Sequence, residues 1–323
     1  MTFIALPENP MPAGARLATV TTGDGVRLRA AQWRPQGEAR GTVSLLQGRS
    51  ETIEKYFEVI GELLARGFAV ATLDWRGQGG SDRPLKDTRK GHVESFSGYD
   101  RDLDAFLAQV VLPDCPAPHV ALAHSTGGLI LLRQARRSGA VFSRMVLTSP
   151  LIGLGAMNPP GWFVKAASGA LASAGLGDFY TPGAGLVRAG ENSFFLNPLT
   201  GDARRFARMK AIAAARPELC IGPPTIGWLN AACRAMAEAG NPQFAAAIKV
   251  PTLVVSAGAD KVVNPVATAR FVRAMGDGRE IVIADARHEI LMERDEIRAA
   301  FWAAFDTFIP DAAGAVSRSA PIG

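Results

Sequence analysis

The chain has 323 residues, 48% hydrophobic and 20% charged. That balance excludes a disordered chain, and the length buries enough surface to fold without a disulfide or metal staple. The net charge of +5 says nothing about fold but favours an anionic partner.

No apolar run is long enough for a transmembrane helix. The start, MTFIALPENP, lacks a basic n-region and breaks at Pro7, Glu8 and Pro10, which argues against a secretory signal. Cys115, Cys220 and Cys233 have no metal-ligand spacing. A cytoplasmic protein without metal or cofactor is the expectation.

In chain order, residues 17–33 alternate around Gly23-Asp24-Gly25, a hairpin signal. Thr42 to Leu46 reads as a strand, Thr52 to Arg66 as a helix ended by Gly67, and Phe68 to Leu73 as a strand. Tyr99 to Val111 is amphipathic, with Leu103, Phe106, Leu107 and Val110 on one face. His119 to Ala123 is a strand, Gly127 to Arg137 a helix and Arg144 to Leu147 a strand. Such alternation predicts a mostly parallel sheet covered by helices on both faces.

The pattern stops over 151–249, where helical stretches at Asp202–Ala215 and Thr225–Ala239 stand among Gly, Pro and Ala. It resumes with a strand at Thr252–Ser256, a helix at Pro265–Met275, a strand at Glu280–Ala284 and a helix at Asp295–Phe308. Residues 1–150 and 250–310 are thus expected to form one core. Residues 151–249 form a mainly helical lid insertion, and 311–323 a flexible tail.

The segment His119-Val-Ala-Leu-Ala-His-Ser125-Thr-Gly-Gly128 runs a strand into a serine and two glycines into a helix. It fits the nucleophile elbow G-x-S-x-G, with Ala123 at the first glycine position. A serine nucleophile needs a base, and the base an orienting acid. His124 is expected on the strand face away from Ser125, His119 to be structural, and His92 to lie in a loop. His288 follows the last strand and is the candidate base. Asp260, just past a strand end and between Ser125 and His288 in the chain, is the candidate acid. Asp285 is its rival. The backbone N–H groups of Arg49 and Thr126 are the candidate oxyanion donors, because Gly48 lets the loop approach the nucleophile.

These segments resemble the α/β-hydrolase superfamily, in its lysophospholipase L2, monoacylglycerol lipase and serine aminopeptidase group. The resemblance rests on Gln47-Gly-Arg-Ser-Glu-Thr-Ile-Glu-Lys-Tyr56, Leu73-Asp-Trp-Arg-Gly-Gln-Gly-Gly-Ser-Asp82, the Ser125 elbow, Ala-Asp260 and Arg-His288. It implies an α/β-hydrolase fold and a carboxylic ester hydrolase working through an acyl-enzyme, with lysophospholipids or monoacylglycerols as the substrate class. Asp74, Arg76 and Gly77 are then structural. The rival readings are a serine aminopeptidase, whose substrate ammonium would need Glu191, Glu218 or Glu238, and an inactive binding module.

The expected partner is a small amphiphilic ester, with no nucleic acid. Trp162, Phe163, Phe194, Phe195 and Trp228 form the candidate acyl-contact pool. Nine basic and five acidic residues lie between Leu151 and Lys249. A helix through 202–215 sets Arg204, Arg205 and Arg208 together, as a candidate patch for weak peripheral contact with the inner face of a membrane.

Overall fold

A computed structural model describes residues 2–138, 141–155, 160–182 and 193–309. Among them, eight strands form one sheet: β1 (Arg16–Thr21), β2 (Arg27–Trp33), β3 (Thr42–Leu46), β4 (Ala69–Leu73), β5 (His119–His124), β6 (Arg144–Thr148), β7 (Thr252–Ala257) and β8 (Gly278–Ile283). Their spatial order is β1-β2-β4-β3-β5-β6-β7-β8. The hairpin β1–β2 and the β2–β4 pair are antiparallel, and all other pairs are parallel.

The central strands are apolar on both faces because both faces are covered. In β5, Val120 and Leu122 enter one core, with α1 (Phe57–Ala65) and α8 (Asp295–Phe308). Ala121 and Ala123 enter the other, with α2 (Phe96–Phe106), α3 (Thr126–Ser138) and α6 (Ile226–Ala239). The period of two in a strand makes that division. Phe301, fully buried on α8, packs its ring 5.0 Å from Trp302 and 6.1 Å from Phe305. Truncating such a ring to alanine costs about 3–5 kcal/mol.

Two helices differ from their sequence reading. The first turn of the helix expected from Thr52 is a 3-10 turn, Ile53–Tyr56, because the Ile53 N–H donates to Asp74 Oδ1 (3.0 Å) and Thr52 supplies no cap. The amphipathic run starts earlier than Tyr99, at Phe96, where Ser95 Oγ accepts from the Ser97 N–H. After Phe106 it continues as a π-helical turn over Leu107–Val111.

Between β6 and β7 the described residues carry α4 (Gly161–Leu171), α5 (Ala203–Ala215), α6 and a short helix, Pro242–Ala246. The first and last of these escaped the sequence reading, since GWFVKAASGAL and PQFAA carry little helical periodicity. The remaining helix of the core is α7 (Pro265–Ala274). The expected tail, 311–323, lies outside the described residues.

The arginine patch on α5 is not a free basic surface. Arg205 is buried and bonds Glu58, Asp202 and Asp295, Arg208 bonds Glu58 at 2.7 Å, and Arg204 lies 3.3 Å from Asp295. Helical spacing put these residues on one side correctly; Asp202 is the local cap of α5, but Glu58 and Asp295 come from α1 and α8, far away in the chain.

Candidate active site

Ser125 stands between β5 and α3 at φ 50°, a left-handed conformation that costs a non-glycine residue about 1–2 kcal/mol. The turn is tight on both sides. A Cβ on Gly127 would lie 2.5 Å from the Leu46 carbonyl oxygen and 2.6 Å from that of Gln47, so only glycine fits. Ala123, fully buried, stands where the elbow pattern has its other small residue.

The chain folds Asp260 and His288 to the same carboxyl edge of the sheet. The Ser125 hydroxyl donates to His288 Nε2 (3.0 Å), and His288 Nδ1–H donates to Asp260 Oδ2 (2.8 Å). Asp260 Oδ1 accepts from the Val262 and Val263 amides at 2.7 and 3.0 Å. Burial works to raise the Asp260 carboxyl, but His288 and the two amides outweigh it and hold the pKa below the ordinary value. An ionised acid, an oriented imidazole and a hydroxyl in sequence make a relay for nucleophilic attack.

Gly48 brings the loop after β3 against the elbow. A Cβ there would lie 3.3 Å from Ser125 Cβ and 3.1 Å from His124 Cδ2. The Gly48 N–H donates to the Glu51 carboxylate, and its carbonyl accepts from Gln78 Nε2 (2.8 Å). Thr126 is the first residue of α3, where an amide has no intrahelical acceptor.

Asp74 braces this loop, and Asp74, Arg76 and Gly77 take the structural part the sequence reading gave them in the loop after β4. Asp74 accepts from Gln47 Nε2 (2.8 Å), the Gly80 amide and Arg29, and Trp75 Nε1 donates to the Gln47 carbonyl (2.7 Å). Arg76 bonds Asp102 and Asp24. Gly77, at φ 80°, lies against the His92 backbone.

The expectation for His124 needs correction. Its side chain does not leave the site: its ring centre is 4.8 Å from that of His288. The left-handed Ser125 ends the strand's alternation, so the opposite-face rule fails at the elbow. His124 Nδ1 is 3.1 Å from Thr148 Oγ1, and burial pushes its pKa down to about 4. His92 is buried with Nδ1 2.9 Å from Thr225 Oγ1. Sequence reasoning also missed Lys55, whose Nζ stands 2.6 Å from both Glu51 Oε1 and Glu289 Oε1. Glu51 and Lys55 share a helical i,i+4 spacing, a readable signal, but Glu289 joins only in three dimensions.

Ser125 and His288 open into a cavity of about 470 Å³. Its apolar wall is Leu151, Leu154, Leu199, Phe206, Met209, Ile221, Trp228 and Val262, and its polar end is Arg49, Glu51, Lys55, His124 and Glu289. Several of these lining residues, from Asn197 to Trp228, come from the stretch between β6 and β7.

Of the expected acyl-contact pool, Trp228 alone lines the cavity. Trp162 and Phe195 are 73% and 93% exposed, and Phe163 is exposed too. Phe194 packs on Phe206, 5.5 Å between rings, one layer behind the wall. Hydrophobicity marked these residues, but α4 buries Val164 and Ser168 instead and turns Trp162 outward. Glu218 pairs with Arg216 and Glu238 with Arg133, both away from the cavity. Glu191 lies outside the described residues.

Among the described residues no group of side chains is arranged to hold a metal ion, and no helix is long and apolar enough to cross a membrane.

Residues 37–295 match the family Hydrolase_4, described as "Serine aminopeptidase, S33". The chain is 34% identical over 293 residues to a protein named Lysophospholipase L2 from Escherichia coli (strain K12), covering 87% of this chain and 84% of that one. Over 129 residues it is 32% identical to a protein named Monoacylglycerol lipase from Mycolicibacterium smegmatis, 40% of this chain and 44% of that one. A solved structure of a soluble variant of monoglyceride lipase from Saccharomyces cerevisiae shares the fold, with a TM-score of 0.72 at 20% identity over 92% of this chain and 96% of that one. The chain is therefore an ester-hydrolysing serine hydrolase with the α/β-hydrolase fold, and it belongs to the Hydrolase_4 family.

Proposed function

We propose that this carboxylic ester hydrolase cleaves the acyl ester of lysophospholipids, with Ser125 as nucleophile, His288 as general base and acid, and Asp260 as the group that orients the imidazole. The observation that carries the reading is the unbroken hydrogen-bonded chain Ser125–His288–Asp260 at the floor of an apolar-walled cavity. Ser125 Oγ attacks the ester carbonyl as His288 Nε2 takes its proton. The tetrahedral oxyanion is met by the N–H groups of Arg49 and Thr126, since the Gly48 amide is already committed to Glu51. Collapse expels the lysophospholipid's glycerophospho-alcohol, protonated by His288. Water then attacks the acyl-Ser125, with His288 as base, and releases the fatty acid.

We propose that residues 151–249 act as a lid over the core made by 1–150 and 250–310. The acyl chain runs along Leu151, Leu199, Phe206, Met209 and Trp228. The similarity to a protein named Lysophospholipase L2 over most of both chains supports the phospholipid class over neutral glycerides. The test is a hydrolysis panel of lysophosphatidylcholine, monoacylglycerol, short p-nitrophenyl esters and aminoacyl amides. Lysophosphatidylcholine turned over with the highest kcat/KM supports the reading, and turnover of the amides alone overturns it.

We also propose weak peripheral membrane contact through exposed Trp162, Phe163, Phe195 and Leu196. Tryptophan and phenylalanine on an outward face suit the headgroup level of a bilayer. Co-sedimentation with vesicles tests this.

A further inference from the structure

Among the described residues, Arg49 is the one charged side chain lining the cavity that lacks an oppositely charged partner. Lys55 is neutralised by Glu51 and Glu289. Arg49 is held in place all the same. Nη2 donates to the Gly222 carbonyl (3.0 Å) and Nη1 to Ser50 Oγ (2.8 Å), and the guanidinium lies 5.0 Å over the Trp228 ring. Trp228 is itself fixed by its Nε1 donating to the Tyr99 hydroxyl (3.0 Å). Gly91 leaves the room, for a Cβ there would approach Nη2 to 3.2 Å. Nε is buried and has no hydrogen-bond partner. Burial lowers the Arg49 pKa to about 10, so the group stays charged at neutral pH.

A half-buried, pre-positioned cation without a counter-ion is a site for an anion. Its planar fork suits phosphate. Arg49 also supplies the oxyanion amide proposed above, so its guanidinium sits one side chain's reach from the scissile carbonyl. Building on that assignment, we propose that the Arg49 side chain binds the phosphodiester of the lysophospholipid headgroup and makes the enzyme select phosphate-bearing esters over neutral monoacylglycerols. Trp228 and Gly222 bring the insertion into the same contact, so the lid closes on the headgroup as well as on the acyl chain.

The test compares 1-palmitoyl-lysophosphatidylcholine with 1-palmitoylglycerol for wild type, Arg49→Gln and Arg49→Lys. The readout is the ratio of the two kcat/KM values, in which any general damage to the oxyanion loop cancels. The ratio falls about 30-fold in Arg49→Gln, as a lost charge-assisted pair does, and recovers in part in Arg49→Lys. sn-Glycero-3-phosphocholine inhibits monoacylglycerol hydrolysis by wild type and loses that inhibition in Arg49→Gln. An unchanged ratio overturns the proposal and leaves Arg49 a strut between loop and lid. An unchanged ratio with relief of palmitate inhibition overturns it too, and gives the arginine to the fatty-acid product. Inorganic phosphate inhibiting as strongly as the glycerophosphodiester overturns the headgroup assignment in favour of a free-phosphate site. Wild type inactive on lysophosphatidylcholine but active on monoacylglycerol refutes the lysophospholipid reading itself, before any variant is compared.

Discussion

The imidazole rings of His124 and His288 lie 4.8 Å apart, inclined at 56°. The base of the proposed relay therefore works beside a second histidine, and that neighbour must stay neutral. A charged His124 would oppose the imidazolium that forms on His288 during attack. Burial keeps it neutral by lowering its pKa to about 4. His124→Lys, which places a cation there, lowers kcat by about 100-fold or more. His124→Gln, which keeps a polar neutral group against Thr148, holds kcat within about tenfold. Steady-state kinetics on one ester separates the two.

The same residue sets a pH limit on stability. The folded pKa, about 4, is below the unfolded value near 6.5. Above 6.5 both states are neutral and the stability is at its full value. As pH falls from 6.5 toward 4 the unfolded state takes up the proton first, so stability is lost across that window, by on the order of 3 kcal/mol. Urea unfolding at pH 7 and pH 4.5 shows the loss, and His124→Gln reduces it. Asp260, held below its ordinary value, adds its own loss only as pH falls below about 4.

Lys55 joins two buried carboxylates, Glu51 and Glu289. Burial favours raising both acids, yet the Lys55 charge and hydrogen bonds hold Glu51 below its ordinary value, while Glu289 remains raised. Lys55→Met strands the acids and costs about 3–5 kcal/mol, read as a lower urea midpoint. Glu289 follows His288 in the chain, so kcat falls with stability. Lys55→Arg, which restores the charge, recovers most of both.

Arg205 and the exposed aromatics divide the work once expected of an arginine patch. Arg205→Met lowers stability by about 2 kcal/mol, because Asp202 loses its buried partner while Glu58 keeps Arg208 and Arg298. Trp162→Ser together with Phe195→Ser reduces vesicle co-sedimentation several-fold with little change in melting temperature. Vesicle binding that ignores the aromatic pair and disappears on raising salt refutes this division.

Local pattern was enough to read the sheet and the elbow. Short apolar runs such as Thr42–Leu46 and Thr252–Ala257 are buried on both faces, and that leaves a mark in composition. Ser125, Asp260 and His288 were legible because each follows a strand end in the order the fold requires. What stayed hidden depends on side chains meeting across the chain. Trp162 and Trp228 are equally apolar in sequence, and only the packing of α4 and α6 decides which one meets the cavity. Arg205 and Glu58 lie 147 residues apart, so no spacing rule joins them. His124 defied the strand alternation because Ser125 is left-handed, a strain that the sequence of the elbow implies but that face-counting ignores.

The most direct measurement is the turnover of lysophosphatidylcholine by Ser125→Ala beside wild type, with melting temperature as the control for folding. Loss of the nucleophile predicts a fall in kcat of at least about 1,000-fold with the melting temperature nearly unchanged, and no acyl-enzyme by intact-mass spectrometry where wild type shows one after acid quench. A Ser125→Ala enzyme that keeps turnover within tenfold of wild type, or still accumulates an acyl adduct, contradicts the assignment of Ser125 as the group that attacks the ester.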